Sequence, residues 1–71
     1  MKIGFIGAGK VGTTLAKAFV KAGLSVVGFY SRTPKSAQFS AQFTGSEAFQ
    51  TIETLVTAAD LILLTVPDDA L

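Results

Sequence analysis

With 71 residues, the chain is long enough for one small domain and shorter than most independent enzymes. Hydrophobic residues make up 49% of it and charged residues 15%, which excludes an intrinsically disordered or collagen-like chain. Because Cys and His are absent, the sequence excludes disulfides, thiolate or imidazole metal sites and a Ser/His/Asp triad, and we expect no metal site.

The net charge of +1 conceals an uneven distribution. All six basic residues lie within the first 35 positions, and all five acidic residues lie from Glu47 onward. This asymmetry marks a patch for an anionic ligand or reflects ordinary solvation. The basic residues are separated and lack interleaved aromatic residues, so we expect no nucleic-acid partner. No segment resembles a signal peptide or a membrane span, so we expect a soluble, cytoplasmic protein with no membrane partner.

The first part of the chain alternates strand and helix patterns. Lys2–Ile6 is a short apolar run that predicts a buried strand, and Ser25–Tyr30 predicts a second strand rich in Val and aromatic residues. Between them, residues 11–22 predict a helix that Gly23 would end. The predicted apolar face of this helix comprises Val11, Leu15, Ala18, Phe19 and Ala22, with Thr13, Thr14, Lys17 and Lys21 mostly on the other face.

A second helix is predicted after a polar turn. Thr33 followed by Pro34 is typical of an N-cap and a first helical residue. A tandem Ser-Ala-Gln-Phe segment places Phe39 above Phe43 on this helix, because a four-residue step returns to the same helix face. The dipeptide at Thr44 and Gly45 ends the helix.

Two strands and a third helix follow. Glu47–Phe49 favours a short strand, and apolar residues then recur at helical spacing from position 52 to 59, with Thr51 as a possible cap. Residues 61–66 form the most hydrophobic segment, which is typical of a strand covered on both faces, and Pro67 ends it.

This β-α-β-α-β-α-β order predicts an α/β fold with a Rossmann-like, doubly wound parallel sheet of about four strands in the order 3-2-1-4. The strand at 61–66 would then form an open, apolar edge. We therefore expect residues 1–71 to be the N-terminal part of a dinucleotide-binding domain with no second domain. The chain would be a fragment of a longer protein, or would form a homo-oligomer through the edge from Leu61 to Val66.

A complete G-x-G-x-x-G pattern, Gly7-Ala8-Gly9-Lys10-Val11-Gly12, follows the first predicted strand and opens the first helix. Gly7 permits the tight turn, Gly9 lets a pyrophosphate approach the backbone, and Gly12 lets the helix pack on the strand. The free N–H groups at the helix start would bind the pyrophosphate. The alternative is a glycine-rich turn without a ligand.

The end of the second predicted strand indicates which dinucleotide is bound. NAD sites usually place Asp or Glu there to hold the ribose hydroxyls, but no acidic residue precedes Glu47. The strand instead leads into Ser31, Arg32 and Thr33, and a guanidinium with neighbouring hydroxyls suits the 2′-phosphate of NADP. The alternative is that Arg32 is solvated and the hydroxyls cap a helix. Lys35 is a weaker candidate for the same phosphate.

Three segments carry a family resemblance: residues 3–12 (IGFIGAGKVG), residues 30–33 (YSRT) and residues 64–70 (LTVPDDA). With them the chain resembles the Rossmann-like N-terminal domain of NADP-dependent oxidoreductases that carry a helical C-terminal domain. It is more distantly similar to pyrroline-5-carboxylate reductases and to the 6-phosphogluconate and 3-hydroxyisobutyrate dehydrogenase superfamily. The resemblance covers essentially all 71 residues, about the first quarter of a full-length member.

The resemblance implies roles at the matching positions. The glycine motif would hold the pyrophosphate, the segment from Ser31 to Thr33 would hold the 2′-phosphate, and the end of the fourth strand would line the other half of the cofactor. The topology favours that last position too, because ligands bind where the strand order reverses. Asp68 is a looser candidate, for which helix capping is favoured. The cofactor-binding residues predicted in this way are Gly7, Ala8, Gly9, Lys10, Val11, Gly12, Ser31, Arg32, Thr33, Thr65, Val66 and Pro67.

Three functions are compatible with these residues. The leading one is the NADP(H)-binding portion of an oxidoreductase that transfers hydride to or from a small-molecule substrate. The others are a non-enzymatic module that binds or senses a dinucleotide, and an assembly element that binds no ligand. No residue stands out as a catalytic proton donor, so we expect the catalytic residues outside these 71 positions and the chain alone to be inactive.

Overall fold

Four parallel strands form a single sheet in the order β3-β2-β1-β4 in the computed structural model, which describes residues 1–7 and 9–65. This confirms the predicted α/β architecture and strand order. The elements in chain order are β1 (Lys2–Ile6), α1 (Lys10–Lys21), β2 (Ser25–Tyr30), α2 (Pro34–Thr44), β3 (Glu47–Phe49), α3 (Ile52–Ala58) and β4 (Leu61–Leu64).

The element ends follow the local signals in the sequence. Strands β1, β2 and β3 have the predicted bounds, and α2 ends at Gly45, whose φ of +71° is a left-handed conformation that suits glycine. Thr51 caps α3, because its side chain accepts a hydrogen bond from Thr54 N at 3.2 Å. Strand β4 ends at Leu64, and the last residue of its predicted range, Val66, lies outside the described residues.

The two faces of the sheet are covered by different helices. Helices α1 and α2 contact each other and both contact β2, whereas α3 contacts β1, β2 and β3. The main core lies on the α1/α2 side, where the Phe5 and Phe29 rings stack with centroids 5.1 Å apart and Phe19 packs beside Phe5. On the α3 side the glycine of β1 leaves room for α3, since a Cβ on Gly4 would lie 2.7 Å from Leu55 Cδ1.

The predicted buried face of α1 is wrong in part. Val11 is 71% exposed and Leu15 and Ala18 are also exposed, while the residues buried on this helix are Gly12, Thr13 and Ala16. Small residues allow α1 to approach the sheet closely. The burial of Thr13, expected on the polar face, is compensated by a 2.6 Å hydrogen bond with Ser40 of α2, which is also buried.

The start of α2 confirms the predicted positions of Thr33 and Pro34 but not the predicted side-chain cap. Pro34 is the first helical residue and Thr33 occupies the N-cap position, but the Thr33 side chain makes no capping hydrogen bond. The Thr33 carbonyl instead accepts hydrogen bonds from Ser36 N and Ala37 N at 3.0 and 3.3 Å. The helix start is thus held by the backbone.

Parallel pairing brings the carboxyl ends of three strands to one edge of the sheet. Ile6 at the end of β1 is in register with Tyr30 of β2 and with Leu64 of β4. Two hydrogen bonds continue the pairing past these residues, from Gly7 N to Tyr30 O at 2.8 Å and from Thr65 N to Ile6 O at 2.9 Å. None of the described helices has the length and apolar character needed to cross a bilayer.

Candidate functional site

The chain leaves β1 through a backbone turn that requires glycine. Gly7 has φ +101°, a conformation that residues with a Cβ rarely adopt. A Cβ there would also lie 3.0 Å from the backbone carbonyl group of Thr65. Both the conformation and the close approach of β4 therefore exclude a larger residue.

Gly9 precedes α1 and differs from the other two glycines of the motif. Its backbone is extended and its carbonyl accepts the first helical hydrogen bond, from Thr13 N at 2.9 Å. A Cβ at Gly9 would meet no described atom within 4 Å. The described residues thus leave this space open. It lies at a helix start whose first turn has no acidic residue and whose first N–H groups have no helical partner.

Gly12, in the first turn of α1, packs against the end of β4. A Cβ at this position would lie 2.6 Å from Thr65 Oγ1 and 3.2 Å from Gly7 O. Thr65 Oγ1 in turn donates to Gly7 O at 2.9 Å and lies 3.3 Å from Ile6 O. Sequence reasoning identified Thr65 only as a cofactor-lining residue, because no local pattern indicates a contact between residues 58 positions apart.

The segment after β2 lies beside this turn. The carbonyl of Tyr30, the last residue of β2, accepts the hydrogen bond from Gly7 N. Ser31 is the next residue, so the segment that it begins starts beside the glycine turn. Ser31 is half-buried, and its Oγ accepts a hydrogen bond from Thr33 N at 3.2 Å. Arg32 lies between them and is exposed, so its guanidinium is accessible to a ligand.

A groove of about 450 Å³ runs from the glycine turn between α1 and α2. It is lined at one end by Gly9, Lys10 and Lys35. The sequence alone did not indicate that these two lysines, from the first turns of different helices, border one groove. Neither helix contains an acidic residue, so all charged side chains of α1 and α2 are positive. The other lining residues are Thr13, Thr14, Ser36, Phe39 and Phe43.

The exposed aromatic rings of α2 confirm the predicted stacking. The Phe39 and Phe43 rings are nearly parallel, at an interplanar angle of 10° with centroids 6.2 Å apart. Lys17 Nζ of α1 lies 5.0 Å from the Phe43 ring centroid and donates to Phe43 O at 3.4 Å. These contacts join the outer surfaces of the two helices that flank the groove.

The structure therefore brings most of the predicted site residues to one edge of the sheet. Gly7, Gly9 and Gly12 form the turn, Lys10 and Val11 are exposed in the first helical turn, and the segment from Ser31 to Thr33 lies on one side. Thr65 lies on the other side. The predicted residues Ala8, Val66 and Pro67, and the looser candidate Asp68, lie outside the described residues.

A comparison with protein families gives one match over nearly the whole chain. The family model described as NADP oxidoreductase, coenzyme F420-dependent, matches residues 2–71. No curated protein matches the sequence.

Solved structures with the same fold include three named oxidoreductases. A provisionally named NADP oxidoreductase from Bacteroides fragilis is 36% identical over 97% of this chain, with a TM-score of 0.85. A provisionally named NADPH-dependent oxidoreductase from Desulfitobacterium hafniense is 28% identical over 97% of the chain, with a TM-score of 0.83. A variant of an imine reductase from Myxococcus stipitatus, in complex with NAD+, is 26% identical over 97%, with a TM-score of 0.78. The chain spans 27%, 21% and 23% of these proteins, respectively.

Proposed function

Since the chain belongs to the family of NADP oxidoreductases described as coenzyme F420-dependent, we propose that it is the NADP(H)-binding portion of an oxidoreductase that transfers hydride. Residues 1–71 would form the N-terminal part of the NAD(P)-binding domain of a cytoplasmic enzyme whose catalytic residues lie elsewhere. The observation that carries the proposal is the glycine turn at the start of α1, with Ser31, Arg32 and Thr33 beside it.

The shape of the turn fits a dinucleotide pyrophosphate. Among the described residues, none has an atom within 4 Å of the position that a Cβ on Gly9 would take. The N–H groups of the first turn of α1 have no helical acceptors, and the positive end of the helix dipole favours an anion there. Gly7, Ala8, Gly9, Lys10, Val11 and Gly12 would hold the pyrophosphate through their backbone, while Thr65, Val66 and Pro67 would line the nicotinamide half. The cofactor supplies the hydride chemistry when bound, and these residues orient it.

The charges around the end of β2 favour NADP over NAD. Arg32 is exposed and Ser31 and Thr33 supply hydroxyls beside it. The first acidic residue along the chain is Glu47, at the start of β3, where it is in register with Gly28. Tyr30, at the end of β2, pairs instead with Phe49 at the other end of β3. No carboxylate of the described sheet thus occupies the position that holds ribose hydroxyls in NAD sites. Lys10 and Lys35 add positive potential in the adjoining groove.

Calorimetric titration of the chain with NADPH and NADH at matched, stated salt tests this proposal. We expect Arg32→Ala to weaken NADPH binding about ten- to a hundredfold, because a hydrogen bond to a charged group contributes about 1.5–3 kcal/mol. NADH binding should be nearly unchanged. Lys21→Ala is the matched control, since Lys21 is also an exposed cation but lies in the last turn of α1. Equal losses for both cofactors in Arg32→Ala, or binding of neither by the unchanged chain, would contradict the proposal.

A second proposal concerns assembly through the edge from Leu61 to Val66. In the described part of the chain β4 pairs with β1 alone, and Leu61 and Leu64 are 42% and 70% exposed. The described strand has no Lys, Pro or bulge of the kind that protects natural edges. A second copy could pair there by the same surface on both chains, as two-fold dimers require.

A further inference from the structure

We propose that Thr65 is a positioning residue whose hydroxyl, from the end of β4, holds the glycine turn in the shape that accepts a pyrophosphate. The effect of Thr65 on cofactor binding rests on the proposed function. Its structural basis is the contact of one hydroxyl with both the first and the third glycine of the turn.

The first observation is the hydrogen bonding of Thr65. Its backbone N–H donates to Ile6 O at 2.9 Å and so places the residue beside the end of β1. Its Oγ1 then donates to Gly7 O at 2.9 Å. Gly7 has the left-handed φ of +101°, and the bond from the Thr65 hydroxyl holds its carbonyl in place at the point where the chain leaves the strand.

The second observation is the fit between the same oxygen and Gly12. A Cβ on Gly12 would lie 2.6 Å from Thr65 Oγ1 and 3.3 Å from Thr65 Cβ. The hydroxyl therefore occupies the volume that any other residue at position 12 would need. The hydroxyl thus lies between the ends of β1 and β4 and the first turn of α1. Its position sets the distance between the glycine turn and the start of the helix.

The acceptors of the Thr65 hydroxyl decide the kind of role. A threonine hydroxyl has one proton to donate, and both acceptors within its reach, Gly7 O at 2.9 Å and Ile6 O at 3.3 Å, are backbone carbonyls at the end of β1. Thr65 would therefore act on the cofactor through the shape of the turn and affect NADPH and NADH equally. Arg32, by contrast, is expected to affect NADPH alone.

The test uses three variants of the chain. Thr65→Val removes the hydroxyl and keeps the branched shape, Thr65→Ala removes it without adding a methyl group next to Gly12, and Thr65→Ser retains it. Thr57→Val is a matched control, because Thr57 Oγ1 also donates to a backbone carbonyl, Glu53 O at 2.9 Å, but lies on α3. Hydrogen exchange of the amides of residues 9–12 is measured without cofactor, and calorimetry gives the affinities for NADPH and NADH.

We expect Thr65→Val and Thr65→Ala to speed exchange at residues 9–12 and to weaken both cofactors by the same factor, about two- to tenfold, as loss of one hydrogen bond predicts. Thr65→Ser and Thr57→Val should resemble the unchanged chain in both measurements. Unchanged exchange in Thr65→Val and Thr65→Ala, a loss confined to NADPH, or failure of Ser to restore the affinity would overturn the inference. Failure of the unchanged chain to bind either cofactor would contradict the proposed function instead, and the exchange measurement would still decide whether Thr65 holds the turn.

Discussion

At the scale of single residues, the three glycines of the motif are needed for different physical reasons. Gly7 is required by its backbone conformation and Gly12 by the contact with Thr65, so the fold itself demands both. Gly9 has open space around the position of its absent Cβ. The sequence motif predicted all three positions, but only the structure separates the two that the fold requires from Gly9, where a Cβ would meet no described atom within 4 Å.

This separation predicts that Gly9→Ala weakens cofactor binding more than it destabilises the fold. A Cβ at position 9 meets nothing in the described structure, and Ala at an N-cap costs only about 1 kcal/mol or less relative to Gly. The same methyl group would obstruct the approach of a pyrophosphate to the helix start. We therefore expect the free energy of unfolding in urea to fall by about 1 kcal/mol at most, and NADPH affinity by calorimetry to fall at least tenfold, which corresponds to about 1.4 kcal/mol.

Gly12→Ala supplies the contrast. Because its Cβ would lie 2.6 Å from Thr65 Oγ1, we expect it to lower the free energy of unfolding by about 1–3 kcal/mol, the usual cost of overpacking. Adding Thr65→Ala should recover part of that loss, since it removes the oxygen involved. Additive losses in the double variant, or a large loss of stability in Gly9→Ala, would contradict this division of roles.

At the scale of secondary-structure elements, local signals predicted the bounds of β1, β2 and β3, but hydropathy misplaced the buried face of α1. The error arises because hydropathy assigns the largest apolar residues to the core. Here the turn forces α1 close to the sheet, which favours Gly12 and Ala16 at the contact and leaves Val11 exposed. Likewise, no sequence pattern indicates that Thr13 meets Ser40, 27 positions away.

The Thr13–Ser40 hydrogen bond predicts a measurable coupling between α1 and α2. Ser40 is fully buried and Thr13 is 8% exposed, so Thr13→Val would leave the Ser40 hydroxyl without this partner. We expect the free energy of unfolding in urea to fall by about 1–3 kcal/mol, the cost of a buried unsatisfied polar group. The double variant, with Thr13→Val and Ser40→Ala, should lose less free energy of unfolding than the two single losses added together. Strictly additive losses would show that the two helices are not coupled through this pair.

At the scale of the whole molecule, the alternation of strands and helices was enough to predict the sheet order and the edge of the sheet at which the candidate site residues meet. Parallel pairing then brought Gly7, Ser31 and Thr65 together without any further signal in the sequence. In the described part of the chain β4 pairs with β1 alone, and its residues Leu61 and Leu64 are 42% and 70% exposed. This exposed apolar edge is the basis of the assembly proposal.

Self-association through β4 predicts that Leu64→Lys produces a monomer. The proposed pairing would bury Leu64, which is 70% exposed, and a lysine at that position would place a charge in the interface. We expect light scattering after size exclusion to give twice the chain mass of 7.4 kDa for the unchanged protein and the single mass for the variant. Leu24→Lys is the matched control, because Leu24 is 46% exposed but lies between α1 and β2, away from this edge. A monomeric unchanged protein at all concentrations, or equal dissociation by Leu24→Lys, would rule out pairing through the β4 edge.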